Sequence, residues 1–175
     1  MTQVINTILS FGTLILQILS VSIIIGIITK DKSRFYSFLA DKALFFVILG
    51  SLGSALMSIV YSNIIGFSPC TLCWFQRIFM YPIAVISIVA LVKKYNSEFW
   101  TNAKVLSIIG GIIALYHVLN RFIGKEIIPC SASGPSCLQD LFKIFGYIDI
   151  PVMSLTAFVF ILLIIINKGR FSKNS

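Results

Sequence analysis

The stretch Ser68–Val92, SPCTLCWFQRIFMYPIAVISIVALV, sets two cysteines, Cys70 and Cys73, at the mouth of an apolar run and places Arg77 just inside it. The part from Trp74 to Val92 has the length and apolarity of a membrane span, which takes about 20 such residues. The rest of the chain has the same texture. Of its 175 residues, 58% are hydrophobic and 11% charged. A soluble domain runs about 45–50% apolar and about 25% charged, so this chain belongs to the membrane class. Its formal charge of +8 does not point to nucleic acid. The Lys and Arg residues fall in short breaks between apolar runs, with no basic stripe among exposed aromatics.

Four more runs of spanning character lie roughly at Val4–Ile28, Ala43–Phe67, Val105–Ile123 and Pro151–Ile166. The first is too long for a signal h-region and no small-residue cleavage pattern follows it, so it reads as a retained helix. Gly50, Ser54 and Ser58 recur every four residues in the second run, a pattern that allows close helix approach in lipid. The fold expected is an all-α integral membrane protein. A four-helix transmembrane core spans residues 43–167, preceded by an extra N-terminal helix and a cytoplasmic loop (residues 1–42) and followed by a cytoplasmic tail (residues 168–175).

Basic residues set the orientation. Ten of the 14 Lys and Arg residues lie in the break after the first run, the break after the third, and the C-terminal tail. The positive-inside bias places these three segments in the cytoplasm. The N-terminus and the breaks at Ser68–Cys73 and Gly124–Ile150 then face outward, with the C-terminus cytoplasmic. All four cysteines, Cys70, Cys73, Cys130 and Cys137, fall in these two outward breaks. Outside a bacterial inner membrane, disulfides persist. Four cysteines allow three pairings, and the two local pairs are the natural first choice. After Cys137, the apolar residues Leu138, Leu141, Phe142 and Phe145 repeat at helical spacing in LQDLFKIF. This predicts a short interfacial helix, ended by Gly146.

A CxxC pair is half a zinc site, a structural staple or a redox-active dithiol. Its place at a helix start favours the third, because unpaired N–H groups there stabilise a thiolate. Arg77 is four residues past Cys73 and shares its helix face. Its charge favours a thiolate at Cys73 and would also favour a reduced, anionic acceptor beside it. The plainer reading of Arg77 is an interfacial arginine reaching the headgroups. His117, Asn120 and Arg121 share a face of the fourth span. An ionisable group inside a span is a candidate site residue, although a lone His also serves structure through a hydrogen bond to a neighbouring helix. At about 1.5 Å per residue, His117 and Arg77 lie roughly 9 and 5 Å below the outer ends of their helices, close enough in depth to approach each other.

From Ala43 to Asn167 the chain resembles the DsbB/BdbC family of membrane disulfide-bond formation proteins. CTLCWFQR is similar to the family's CxLC motif with Arg at the fourth position after it. ALYHVL is similar to its third core helix. SCLQDLFKIFGYIDIPVMSL is similar to the segment leading from the last loop cysteine into the final span. The resemblance implies a quinone-dependent protein-disulfide oxidoreductase. Its loop pair would oxidise a soluble thioredoxin-like partner of the DsbA/BdbD type, and its CxxC pair would pass two electrons to ubiquinone or menaquinone. The bacterial envelope is kept oxidising by such a couple. Carried over by position, Cys130 would form the mixed disulfide with the partner and Cys137 would be its companion. Cys70 would exchange with the loop pair, and Cys73 would face the quinone, with Arg77 and His117 at the cofactor. Family members commonly have four spans, so the first helix is an addition. The Cys130-x6-Cys137 spacing matches the shorter BdbC-like branch. No sign of an oligomer is present, and a monomer is expected.

Four other readings compete, of which CcdA-like thiol transporters resemble the chain less, since their cysteines lie within spans. Vitamin-K-epoxide-reductase-like proteins also couple a CxxC to quinone, but their loop cysteines precede it. A thiolate metal module would use all four cysteines. A non-catalytic protein stapled by two disulfides would resist mild reductants, whereas catalytic disulfides have less negative potentials.

Overall fold

The computed structural model describes residues 2–31, 33–93, 97–125, 135–138 and 142–172, with the Ser97 side chain left aside. The fold is an all-α bundle. The five long helices are α1 (Thr2–Ile28), α3 (Ala43–Ile59, continued by a π-helical turn Val60–Ile64), α4 (Thr71–Val92), α5 (Ser97–Ile123) and α6 (Ile150–Ser172). Each is long and apolar enough to cross a membrane, so this is a multi-pass membrane protein. A short helix, α2 (Arg34–Asp41), joins α1 to α3.

The last helix is the axis of the bundle. Its most apolar window is 56% buried, against 22–33% for the other four. Helices α1, α2, α3 and α5 pack on it, while α4 closes the ring between α3 and α5. Phe158, Phe160, Ile161 and Ile164 of α6 are all buried. Without a hydrophobic drive between helices in lipid, close packing must hold them, so small residues matter at the contacts. A Cβ at Gly110 of α5 would collide with the Phe158 ring, so this glycine lets α5 lie directly on α6. Outward-facing side chains such as Ile18, Leu56, Val85 and Ile112 are exposed and apolar, as lipid contact requires.

Helix α2 falls in the charged break between the first two runs, where the sequence shows no spanning signal. Its Tyr36, Leu39 and Ala40 are buried. Tyr36 Oη donates to the Ser22 carbonyl at 3.1 Å, and Asn167 Nδ2 donates to the Tyr36 carbonyl at 2.9 Å. Arg170 closes the same corner by donating to the Gly26 carbonyl at 3.1 Å. This charged end lies opposite the cysteines.

One local expectation changes. Of the stretch predicted as an interfacial helix, Leu138 and residues 142–145 are not helical, and residues 139–141 lie outside the described residues. Ile144 and Ile148 instead exchange both backbone hydrogen bonds at 3.0 Å across a tight turn. Phe145 and Gly146 take φ of 54° and 78° at its tip. The helical periodicity is real, but tertiary contacts use the side chains otherwise. Phe142 stacks on Tyr61 of α3, 6.0 Å between centroids, and Ile148 is fully buried. A flat helix in the interface would forfeit both contacts.

Candidate functional site

The site is built where α4 begins. Cys70 is the N-cap residue of α4, in extended conformation, and its carbonyl accepts from Trp74 N at 3.1 Å. Its sulfur therefore faces the unpaired N–H groups of the first turn, which favour negative charge. Cys73 follows inside that turn. The Cys70 and Cys73 sulfurs are 3.2 Å apart, a thiol–thiolate contact and not a bond, since a disulfide is about 2.05 Å. The Cys70 thiol is held well below its ordinary range, at about 4. The largest cause is the hydrogen bond from Cys73, with a further contribution from His117, and burial opposes both.

His117 of α5 is 2% exposed and links three segments. Its Nε2 lies 3.1 Å from the Cys137 carbonyl and 3.9 Å from Cys70 Sγ, and its Nδ1 lies 3.1 Å from Gln76 Nε2. A carbonyl oxygen only accepts, so Nε2 carries the proton. In the neutral ring, Nδ1 then accepts from the Gln76 amide. The ring is oriented from both sides, with its N–H directed between a carbonyl and a thiolate.

Cys137 completes the cluster. It is disulfide-bonded, whereas Cys70 and Cys73 are free. Its sulfur, Cys70 Sγ and a His117 ring nitrogen lie within 4.8 Å of one another. Cys130 lies outside the described residues. The two cysteine-bearing segments therefore meet at one end of the bundle. Arg121 of α5 holds the loop there. It donates to the Leu138 carbonyl at 3.0 Å and pairs with Asp149 at 3.0 Å, both side chains being nearly buried. Asp149 in turn caps α6 by accepting from Val152 N at 3.0 Å. Asn120, grouped with His117 and Arg121 by spacing, is fully buried with no hydrogen-bond partner among the described residues.

Arg77 lies on another side of α4. It donates to the Ser58 carbonyl of α3 at 3.0 Å and its guanidinium sits 5.0 Å over the Trp74 ring. Among the described residues no carboxylate lies within salt-bridge distance of it. The expected approach of His117 to Arg77 is replaced by the Gln76–His117 bond, because residue 76 rather than 77 faces α5. Cys73, Arg77 and His117 nevertheless open onto one cavity of about 600 Å³. Its polar lining gathers at the cysteine end, and its other end is walled by residues such as Leu16, Leu19, Phe46 and Phe160. Ser54 and Ser58, read from sequence as a helix-contact stripe, also line this space. A polar-headed, apolar-tailed acceptor such as a quinone fits this lining. A metal ion fits less well, since Cys137 already spends its sulfur in a disulfide.

Sequence reasoning missed Gln76, Asp149 and Tyr61. The first was legible as a polar residue three past Cys73. Asp149 before Pro151 carried an N-cap signal. Nothing local singled out Tyr61, whose ring stacks on Phe67 and Phe142 and whose hydroxyl meets Asn6 of α1.

Residues 40–167 match the family model described as "Disulfide bond formation protein DsbB". A probable disulfide formation protein of Metapseudomonas resinovorans is 40% identical over 126 residues, covering 69% of this chain and 85% of that protein. The SPbeta prophage-derived disulfide bond formation protein B of Bacillus subtilis is 37% identical over 137 residues, covering 74% and 91%. A probable disulfide formation protein of Chlamydia caviae is 36% identical, covering 78% of this chain and 98% of that protein. No solved structure matches the chain. Helix α1 lies outside the residues that the family model matches.

Proposed function

Because this chain belongs to the DsbB family of disulfide bond formation proteins, we propose that it is a membrane thiol oxidase that takes two electrons from a soluble thioredoxin-like dithiol and delivers them to quinone. The observation that carries the reading is the position of Cys70. Its sulfur is within 4.8 Å of Cys137 on one side and 3.2 Å from the cavity-lining Cys73 on the other.

The cycle is two disulfide exchanges and one oxidation. The partner dithiol reduces the Cys130–Cys137 disulfide through a mixed disulfide at Cys130 and leaves oxidised, giving up two electrons and two protons. The Cys137 thiolate attacks Cys70 of an oxidised Cys70–Cys73 pair. A Cys70–Cys137 bond forms, the Cys70–Cys73 bond breaks, and Cys73 leaves as a thiolate toward the cavity and Arg77. The Cys130 thiolate then attacks Cys137, restoring the loop disulfide and releasing Cys70 as a thiolate. Once Cys73 has taken up one of the protons released by the partner dithiol, its S–H, the helix N-terminus and the His117 N–H stabilise that leaving group, and a low thiol pKa speeds departure. The quinone, when bound, accepts two electrons and two protons as the Cys70–Cys73 disulfide reforms. Arg77 holds a positive charge where negative charge develops on the acceptor. Net, one dithiol and one quinone become one disulfide and one quinol.

Set in a bacterial cytoplasmic membrane, the cysteine end faces outward, where the partner is, and the charged end of α2 and the tail of α6 face the cytoplasm. The test is turnover by the purified protein with a quinone and a reduced thioredoxin-like protein, followed by loss of quinone absorbance. Expected are steady turnover, its loss in Cys73→Ser, and, when the partner is supplied in its disulfide form, its capture as a mixed disulfide on the free Cys130 thiol in Cys137→Ser. No turnover with any quinone or dithiol protein overturns the reading.

A further inference from the structure

The cavity continues well beyond Cys73. Helices α1 and α3 both pack on α6, but they do not pack along each other, and the cavity fills the gap between them. Its lining residues run from Leu9 to Leu19 along α1 and from Phe46 to Tyr61 along α3. At about 1.5 Å per residue these are roughly 15 and 22 Å of helix. The slot is apolar away from the cysteine end, where Leu16, Leu19, Leu49 and Phe160 line it. At the cysteine end it is bridged by the hydrogen bond from Tyr61 to Asn6, and Tyr61 belongs to the π-helical turn of α3. Such turns concentrate at functional sites.

Besides Gly50, where a Cβ would touch Ile161 at 3.4 Å, two glycines line this slot, Gly12 of α1 and Gly53 of α3. A Cβ added to either would meet nothing within 4 Å. Neither therefore serves close backbone packing, unlike Gly26 and Gly110, where a Cβ would strike Tyr36 and Phe158. Gly12 and Gly53 leave space that any side chain would take up.

We propose that α1 is a specificity wall for the electron acceptor: the slot between α1 and α3 receives a long apolar quinone tail, and Gly12 and Gly53 keep it open. The proposal rests on the quinone reading above and extends it to a helix outside the family-matched residues. A ring head alone would need only the polar end beside Cys73 and Arg77. A slot of this length, continuous with that end, fits an acceptor whose head and tail are bound together. The tail then adds close packing along the slot, which is what holds apolar groups together in lipid, so affinity should depend on its presence.

The experiment uses the full chain in lipid nanodiscs and two probes, a tail-less benzoquinone and a ubiquinone analogue with a photoreactive group on its tail. Affinity is read by quenching of tryptophan fluorescence, and the site of photolabelling by peptide mass spectrometry. The tailed probe is expected to bind at least tenfold more tightly and to label α1 between Leu9 and Leu19. Gly12→Phe should reduce that preference at least fivefold and remove the α1 label. Ile18→Phe, on the lipid-facing and 68% exposed side of the same helix, should leave both in place. Gly12→Ser and Gly53→Leu carry the test if Gly12→Phe does not fold. Equal affinity for both probes, with label confined to residues 43–167, overturns the role of α1 alone. Binding of neither probe overturns the quinone reading together with it.

Discussion

The sulfurs of Cys70 and Cys137 lie within 4.8 Å of each other, although one caps α4 and the other belongs to the loop between α5 and α6. His117 sits against both, 3.9 Å from the Cys70 sulfur and 3.1 Å from the Cys137 carbonyl. The distance brings one sulfur of the CxxC pair to the loop cysteine Cys137, as the proposed exchange requires, and it leads to a direct chemical test. In a Cys73→Ser/Cys130→Ser double variant, Cys70 and Cys137 should form a disulfide on mild oxidation. Peptide mapping under non-reducing conditions would detect it, and recovery of both as free thiols would contradict the proposed exchange.

The Cys70 thiol is held at about 4, so alkylation of the reduced protein at Cys70 should be fast and nearly independent of pH from about 6 to 8. It should fall as pH drops toward 4. Cys73→Ala should move that acid limb upward more than His117→Ala does, because the Cys73 contact is the larger cause. The sign for stability follows from the depressed value. The thiolate's contribution is complete above the ordinary thiol value of 9.0 and declines as pH falls through the interval to about 4. An alkylation profile centred near 9 would show that the N-cap and its neighbours do not stabilise the thiolate.

The Arg121–Asp149 pair is buried, with side-chain exposures of 8% and 10%. Removing a carboxylate that both pairs with a buried arginine and caps a helix costs up to about 3–5 kcal/mol. Asp149→Ala should therefore lower the unfolding temperature in detergent markedly. Asp149→Asn retains an acceptor for Val152 N and should recover only the capping share, about 1 kcal/mol. Equal stabilities for the two variants would mean that the cap contributes nothing, and an Asp149→Asn variant as stable as the parent would mean that the ion pair contributes nothing beyond the cap.

Gly110 lies against Phe158. Gly110→Ala should destabilise the bundle by about 1–3 kcal/mol through overpacking. Adding Phe158→Leu, which removes the ring, should recover part of that loss, read as non-additivity in a double-mutant cycle of thermal melts. Strict additivity would place the strain elsewhere.

The Tyr61–Asn6 bridge ties α3 to α1. Tyr61→Phe keeps the ring stacks on Phe67 and Phe142 while removing the hydroxyl. It should cost about 1 kcal/mol and speed amide exchange in α1. Unchanged exchange there would show that the bridge does not hold the helix.

Much of this was legible from residues alone. Composition and run length determine a five-span helical membrane protein, because lipid admits only backbones whose hydrogen bonds close locally. CxxC at a helix start marks a reactive thiol, and Arg77 follows it by one turn. These are local properties, and a sequence states them directly. Which groups meet across helices is not local. Residue 76 rather than 77 faces His117, and Cys137 comes to Cys70, only because α4, α5 and the loop pack at one relative rotation and depth. The same packing turned the small-residue stripe of α3 into a cavity wall and overrode the helical periodicity around Phe142, whose ring gains a stack on Tyr61. Periodicity reports which residues share a face, but the partner of that face is set by the summed close contacts of the whole bundle. The thiols and their chemistry were therefore determined by the chain's own pattern, while the route between them and the slot beneath them were decided by the packing of α1, α3, α5 and α6.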